Sequence, residues 1–103
     1  MIFALICKDK QGALDVRQAN RSAHLDYLDG LNSQGKLKFA GPLLGDDGKP
    51  LGSIVTIEVA DRAAAEELAA NDPYAKAGLF ESVEIHGWNW VFNAPSETRQ
   101  EAN

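Results

Sequence analysis

The first strand of this chain restricts its fold, because the strand is apolar on both of its faces. Residues 2–7 read Ile-Phe-Ala-Leu-Ile-Cys, so the even and the odd positions are both hydrophobic. Successive side chains of a strand point to opposite faces of its sheet, so this strand must be covered on both sides. A chain of 103 residues forms one domain with a modest core. Length alone therefore favours oligomerisation.

Hydrophobic periodicity and turn residues predict an α+β domain. The predicted elements are a strand over residues 2–8, a helix over 13–34 ended by Gly35, strands over 36–44 and 53–59 joined by the loop 45–50, a helix over 61–71 capped by Asp61, and a last strand over 80–92. This βαββαβ order is that of the ferredoxin-like fold, in which both helices cover one face of a four-stranded antiparallel sheet. Because the other face is bare, we expect a homodimer whose two sheets face each other.

Charge and cysteine content limit the partners and the compartment. Ten Lys and Arg residues against fifteen Asp and Glu residues give a net charge of -5, which disfavours nucleic acid and anionic membrane surfaces. Cys7 is the single cysteine, so a disulfide framework and a zinc site built on thiolates are excluded. The apolar run after Met1 is too short for a signal peptide or a membrane span. We therefore expect a cytoplasmic protein.

The last residues differ in composition from the rest of the chain. From Asn93 onward the sequence is polar, with Pro95, Ser96, Glu97 and Glu101. Polar segments of this kind do not bury enough apolar surface to fold. We therefore assign residues 1–92 to the domain and expect residues 93–103 to form a flexible tail.

Three polar residues of the first helix share one stripe. Arg17, Arg21 and His24 are separated by steps of four and three residues, which places them on one face of an unbroken helix. The leucines at positions 14, 25, 28 and 31 place this stripe at the boundary of the core. Asn20 or Ser22 could instead cap a second helix and break the stripe. Alternatively, each arginine lies on a solvated face of the helix and pairs with acidic residues such as Asp15.

A carboxylate further along the chain can complete a site with His24. Asp72 precedes Pro73 at the end of the second helix, and the proline stops that helix and can turn the carboxylate back into the domain. A carboxylate beside an imidazole fixes its tautomer and raises its basicity, which is the minimal unit of a general base. The alternatives are a structural buried histidine and an aspartate that binds nearby backbone N–H groups.

Other chemistries lack the residues that they need. The loop 45–48 contains Gly45 and Gly48 but also two aspartates that would repel a phosphate. His24 and Asp72 alone are too few ligands for a tight metal site, so we expect no metal and no cofactor. Cys7 lies in an apolar strand without an activating base and is interpreted as a buried inert thiol. On the last strand, His86, Trp88 and Trp90 alternate onto one face, which packing explains.

Three blocks of this sequence resemble the YciI-like (YCII-related) family. They are Arg21-x-x-His24-Leu25-x-x-Leu28, Gly35-x-Leu37-x-x-Ala40-Gly41-Pro42 and Asp72-Pro73-Tyr74-x-x-Ala77-Gly78-Leu79. The likeness covers residues 1–92, and the spacing between the blocks is preserved. The resemblance implies a dimeric α+β barrel of ferredoxin-like subunits, with a pocket in each subunit where His24 and Asp72 meet for general acid/base chemistry.

The same resemblance suggests which residues bind the substrate. Arg17 and Arg21 match the basic residues that precede the family histidine, which implies that they hold an anionic group of the ligand. Gly41 and Pro42 match the end of the second strand that faces the pocket. Tyr74 is a secondary candidate through its hydroxyl, although packing with the oxygen at the rim explains it equally well.

Two functions are consistent with these residues. The first is a small homodimeric enzyme in which His24 and Asp72 move a proton on an anionic or phenolic small molecule, by elimination, isomerisation or hydrolysis. The second is a non-catalytic metabolite-binding or accessory protein on the same scaffold, because a fold does not fix a function.

Overall fold

A four-stranded antiparallel sheet with three helices makes up the computed structural model, which describes residues 1–95. Residues 96–103, most of the predicted tail, lie outside the described residues. The elements are β1 (Ile2–Asp9), α1 (Leu14–Ser33), β2 (Leu37–Leu44), β3 (Pro50–Glu58), α2 (Arg62–Asn71), α3 (Pro73–Lys76) and β4 (Phe80–Gly87). Within residues 1–95, none of the helices combines the length and hydrophobicity needed to span a bilayer.

The strand that is apolar on both faces lies in the interior of the sheet. The strand order is β2-β3-β1-β4, so β1 pairs with β3 on one side and with β4 on the other. On the face covered by the helices, Phe3, Leu5 and Cys7 of β1 form the core with Leu28 and Leu31 of α1. The predicted α+β class and the βαββαβ order are confirmed.

The opposite face of the sheet is covered by no helix. The register places Ala4 and Ile6 of β1 on this face beside Thr56 and Ile54 of β3. Ala4, Ile6 and Ile54 are only partly buried. Ile2 and Thr56 on the same face are only 1% and 2% exposed, so the described part of the chain covers this face in part.

The last strand is shorter than predicted. The prediction extended it to residue 92, but β4 ends at Gly87 because its neighbour β1 begins at Ile2. The Trp88 N–H still donates to the Ile2 carbonyl at 2.9 Å, and no backbone of β1 remains to pair beyond that point. Trp88 and Trp90 therefore do not alternate on a strand. Both rings instead pack edge-on against Phe39 of β2, with centroids 5.6 and 5.3 Å away.

Helix α1 is continuous, so no second helix begins near Asn20 or Ser22 and the stripe of Arg17, Arg21 and His24 is unbroken. The Asn20 side chain donates to the Val16 carbonyl within the helix at 2.9 Å and caps nothing. The helix ends where Gly35 adopts a φ of +73°, a left-handed conformation that favours glycine. Asp61 caps α2 as predicted, because its carboxylate accepts from the Ala64 N–H at 2.9 Å.

A third helix follows Asp72, where the sequence predicted only a stop. Pro73 takes the first helical position, in which its missing N–H costs nothing. Asp72 accepts from the Tyr74 N–H at 2.9 Å and so caps this single turn. The second half of the Asp72-Pro73-Tyr74 block is therefore helical, and it fixes the direction in which Tyr74 enters the core.

Candidate active site

A cavity of about 350 Å³ lies between α1 and the helix-covered face of the sheet. Its volume suits a small-molecule ligand. Six of the seven residues predicted for the site line it, namely Arg17, Arg21, His24, Gly41, Pro42 and Tyr74. The seventh, Asp72, lies behind His24. The unbroken helix α1 is what brings the arginines and the histidine to the same wall.

His24 and Asp72 form a buried pair. The imidazole Nδ1 is 2.8 Å from Asp72 Oδ1 and 3.0 Å from Oδ2, and each residue is 7% exposed. An ionised carboxylate only accepts hydrogen bonds, so Nδ1 carries the proton of this contact. In the neutral ring the lone pair is then on Nε2, and His24 is a residue of the cavity wall. The pair can therefore present a base to a bound ligand.

The carboxylate of Asp72 has two partners at once. Oδ1 accepts from the Tyr74 backbone N–H as well as from His24. Asp72 therefore has both of the roles considered for it. It binds a backbone N–H at the helix end, and it contacts His24. The cap fixes the rotation of the carboxylate, and that rotation sets the orientation of the imidazole.

Tyr74 fixes the other side of the imidazole. Its ring stacks on His24 with centroids 3.9 Å apart and an angle of 12° between the planes. Its side chain is almost completely buried, so the ring is a packing residue. Burial raises the pKa of Tyr74, and the positive charges of Arg17 and Arg21 oppose this shift only in part. The phenol is therefore neutral at physiological pH.

Arg17 is buried and paired, so a solvated helix face is wrong for this residue. It is 5% exposed. Its Nε donates to Asp9 Oδ2 at 2.7 Å and its Nη2 donates to Asp9 Oδ1 at 3.0 Å. Nη2 also donates to Ser53 Oγ at 2.9 Å. Burial acts to lower the pKa of Arg17, but the hydrogen bonds and charge of Asp9 raise it overall.

Sequence reasoning missed Ser53 as a residue of this wall and Asp9 as the partner of Arg17 behind it. Asp9 continues the alternation of Phe3, Leu5 and Cys7, which places its carboxylate on the face that packs against α1. A carboxylate on an apolar face requires a cationic partner, and this signal was available. Ser53 carried no comparable signal, because a serine in a strand is common on either face.

Arg21 differs from Arg17 in exposure and in pairing. It lies one helical turn further along α1, it is exposed, and it lines the cavity. Within residues 1–95 its guanidinium forms no salt bridge. Arg21 therefore offers a positive charge to the cavity, whereas the charge of Arg17 is balanced by Asp9.

Cys7 and His86 do not belong to this site. Burial, reinforced by the negative charges of Asp72 and Asp9, raises the pKa of the Cys7 thiol to about 12. The thiol is therefore protonated and unreactive at neutral pH. His86 lies on the opposite face of the sheet, exposed, with Nε2 at 2.9 Å from Glu84. Among the described side chains, no group of three His, Cys, Asp or Glu residues is placed to hold a metal ion.

Comparison with known proteins identifies the family of this domain. The model of the YCII-related domain matches residues 1–89, so the chain belongs to the YCII-related domain family. Proteins named YciI from Escherichia coli and Shigella flexneri are each 34% identical over 98 residues, which is 89% of this chain and all of theirs. A Haemophilus influenzae protein is 33% identical over the same shares of the two chains.

A solved structure of similar fold comes from an enzyme. It is the 5-chloro-2-hydroxyhydroquinone dehydrochlorinase TftG of Burkholderia phenoliruptrix AC1100, in complex with 2,5-dihydroxybenzoquinone. The two chains are 36% identical and superpose with a TM-score of 0.78, over 86% of this chain and 94% of TftG.

The contact between His24 and Asp72 predicts one tautomer. We expect the neutral imidazole of His24 to carry its proton on Nδ1, because Asp72 accepts there. Two-bond proton–nitrogen NMR spectra of the labelled protein, recorded where the ring is neutral, report the protonated nitrogen. His86 is the second histidine of the chain, and a His86→Gln variant assigns the two signals. A proton on Nε2 of His24 would contradict the geometry.

Proposed function

We propose that this protein is a small-molecule enzyme in which His24 transfers a proton as a general acid/base on an anionic or phenolic substrate. The observation that carries the proposal is the buried pair of His24 and Asp72, in which His24 lines the cavity and Asp72 lies behind it. Burial of a charged pair is costly unless each partner is satisfied. Within residues 1–95 the second imidazole nitrogen has no hydrogen-bond partner and His24 lines the cavity, so a proton-transfer role explains why the pair is buried there.

The comparison with TftG supports elimination as the class of reaction. That enzyme is named for the removal of chloride from a chlorinated hydroxyhydroquinone, and it is seen with a dihydroxybenzoquinone. Apolar side chains of Leu25, Leu28 and Val55 line the cavity of the present protein. A six-membered ring with oxygen substituents fits these walls, with the polar groups of α1 at its edge.

The proton transfer follows from the free nitrogen of His24. In an elimination, Nε2 takes a proton from the substrate, the electron pair left behind forms a new double bond, and the leaving group departs with its own bonding pair. The imidazolium formed at His24 is stabilised by the Asp72 carboxylate at 2.8 Å. The imidazolium then releases this proton to solvent, which restores the base, so the net loss from the substrate is one proton and the leaving group.

Arg21 supplies the charge that selects the substrate. Its guanidinium forms no salt bridge with the described residues and lies at the cavity, where a phenolate, a carboxylate or a departing halide would bind it. Arg17 contributes to the shape of the cavity wall rather than to its net charge, because Asp9 already balances the charge of Arg17. Gly41 and Pro42 of β2 form the wall opposite this part of α1.

Substitutions of His24, Asp72 and Arg21 separate catalysis from binding. We expect His24→Gln to lower turnover at least about 100-fold while ligand affinity stays within about tenfold. Asp72→Asn keeps an oxygen for the Tyr74 cap, so it should lower turnover without unfolding the protein. Arg21→Ala should weaken binding by about 1.5–3 kcal/mol, because it removes a charged hydrogen bond.

Turnover is measured as chloride release from chlorinated hydroxyhydroquinones. Ligand affinity is measured by calorimetry with 2,5-dihydroxybenzoquinone. Glu66→Ala, on the exposed surface of α2, is the control for nonspecific effects. Full turnover in the His24 variant would refute the catalytic assignment. Ligand binding that depends on Arg21, with no turnover in the unaltered protein, would instead favour the metabolite-binding alternative.

We also propose that two copies pair through the bare face of the sheet. This face carries Ala4, Ile6 and Ile54, which a single chain buries only in part. An apolar sheet face of this kind is stabilised by a second copy related by a two-fold axis.

Light scattering tests the pairing. At micromolar concentration we expect twice the mass of one chain, and we expect Ile54→Lys to halve that mass because it buries a charge between the sheets. Glu66→Lys is a control charge change away from this face. A monomer at every concentration would overturn the pairing.

A further inference from the structure

We propose that Ser53 is a ligand-binding residue, whose hydroxyl is held by Arg17 so that it donates a hydrogen bond to an oxygen of the ligand. The inference rests on the proposed function, because it adds a contact inside the same cavity. It also narrows the ligand class to molecules with an acceptor oxygen at the floor of the cavity, such as a quinone or a phenolate.

The position of Ser53 places its hydroxyl both in the interior and at the cavity. Ser53 lies on β3, paired with Cys7 of β1, and it is 3% exposed. It nevertheless lines the cavity, with Val55 on the same face of the same strand. A buried hydroxyl needs a hydrogen-bond partner, since leaving it without one destabilises the fold.

The contact with Arg17 fixes the direction of the hydroxyl proton. Arg17 Nη2 is 2.9 Å from Ser53 Oγ. A guanidinium has donors and no acceptor, so Ser53 accepts in this contact. The hydroxyl proton is therefore left over, and within residues 1–95 the Ser53 side chain has no second hydrogen bond.

Thr56, on the same strand, has a hydroxyl that uses both its acceptor and its donor. Its Oγ1 accepts from the Phe39 N–H at 3.0 Å and donates to the Phe39 carbonyl at 2.9 Å. Thr56 is 2% exposed and does not line the cavity. Of these two buried hydroxyls of β3, only that of Ser53 keeps a donor without a partner within residues 1–95, and only Ser53 lines the cavity.

The two hydrogen bonds that Arg17 donates to Asp9 make Ser53 a better donor. Asp9 binds both Nε and Nη2, so the guanidinium is fixed before any ligand arrives. A hydroxyl that accepts from a cation is polarised, and its own proton becomes a stronger donor. The chain of contacts from Asp9 through Arg17 to Ser53 therefore presents a directed neutral donor to the ligand. The charge comes from Arg21, which forms no salt bridge within residues 1–95.

Calorimetry with 2,5-dihydroxybenzoquinone tests the inference. We expect Ser53→Ala to raise the Kd about tenfold or more. Ser53→Thr keeps the hydroxyl and should stay within about threefold of the unaltered protein. Arg21→Ala shows in parallel whether the ligand uses this cavity, and thermal unfolding verifies that each variant is folded. If Ser53→Ala does not fold, Ser53→Cys replaces the hydroxyl by a weaker donor and should weaken binding in the same direction.

The outcomes distinguish a failure of the role of Ser53 from a failure of the proposed function. Binding that Arg21→Ala weakens and Ser53→Ala leaves unchanged would overturn the role of Ser53 alone. Equal weakening by Ser53→Ala and Ser53→Thr would show that packing matters rather than the hydroxyl, and would overturn it as well. No binding to the unaltered protein, or binding indifferent to Arg21, would overturn the proposed function and the role of Ser53 with it.

Discussion

The carboxylate of Asp72 is the contact on which the site depends. One side chain caps α3 through the Tyr74 N–H and holds His24 of α1 by Nδ1, so it joins two helices that are far apart in the sequence. Tyr74, the residue whose N–H is capped, stacks its ring on the same imidazole. A change that removes the acceptor oxygens of Asp72 therefore alters the helix end, the orientation of the imidazole and the shape of the cavity wall together.

Arg17 and His24 in the wall of the cavity each belong to an ion pair, and the two pairs have different consequences. Both Arg17 and His24 lie on α1, and each binds a carboxylate supplied by another element. Burying such pairs gives little net stability, because desolvation offsets most of the attraction. Asp9 binds Arg17 through two of its nitrogens, and the guanidinium also contacts Ser53 and the face of the Tyr74 ring. Asp72 binds one nitrogen of His24 and leaves the other for a ligand. The chemistry is therefore expected at His24, and the preorganisation at Arg17.

Much of this arrangement could be predicted from the sequence, because it follows from local periodicity. Helical spacing placed Arg17, Arg21 and His24 on one stripe, and the order of strands and helices gave the sheet. The meeting of His24 with Asp72 came from the resemblance to a family, since no local pattern relates residues 48 positions apart. The structure then brought the two side chains within hydrogen-bond distance.

Other features depended on tertiary context that the sequence does not display. The end of β4 at Gly87 is set by where β1 begins, and not by residues 88–92, which are as apolar and aromatic as a strand. Ser53 became a residue of the site only because Arg17, far away in the sequence, points at it. Asp9 was predictable in principle, because alternation along β1 places a carboxylate among apolar neighbours.

A crystal structure of the protein with 2,5-dihydroxybenzoquinone bound tests the central claim most directly. The claim is that His24, held by Asp72, presents Nε2 to a ligand in the cavity between α1 and the sheet. A ligand oxygen within hydrogen-bond distance of His24 Nε2, with the Asp72 contact to Nδ1 retained, is the predicted result. A ligand bound outside this cavity, or bound inside it with Nε2 turned away toward protein atoms, would contradict it.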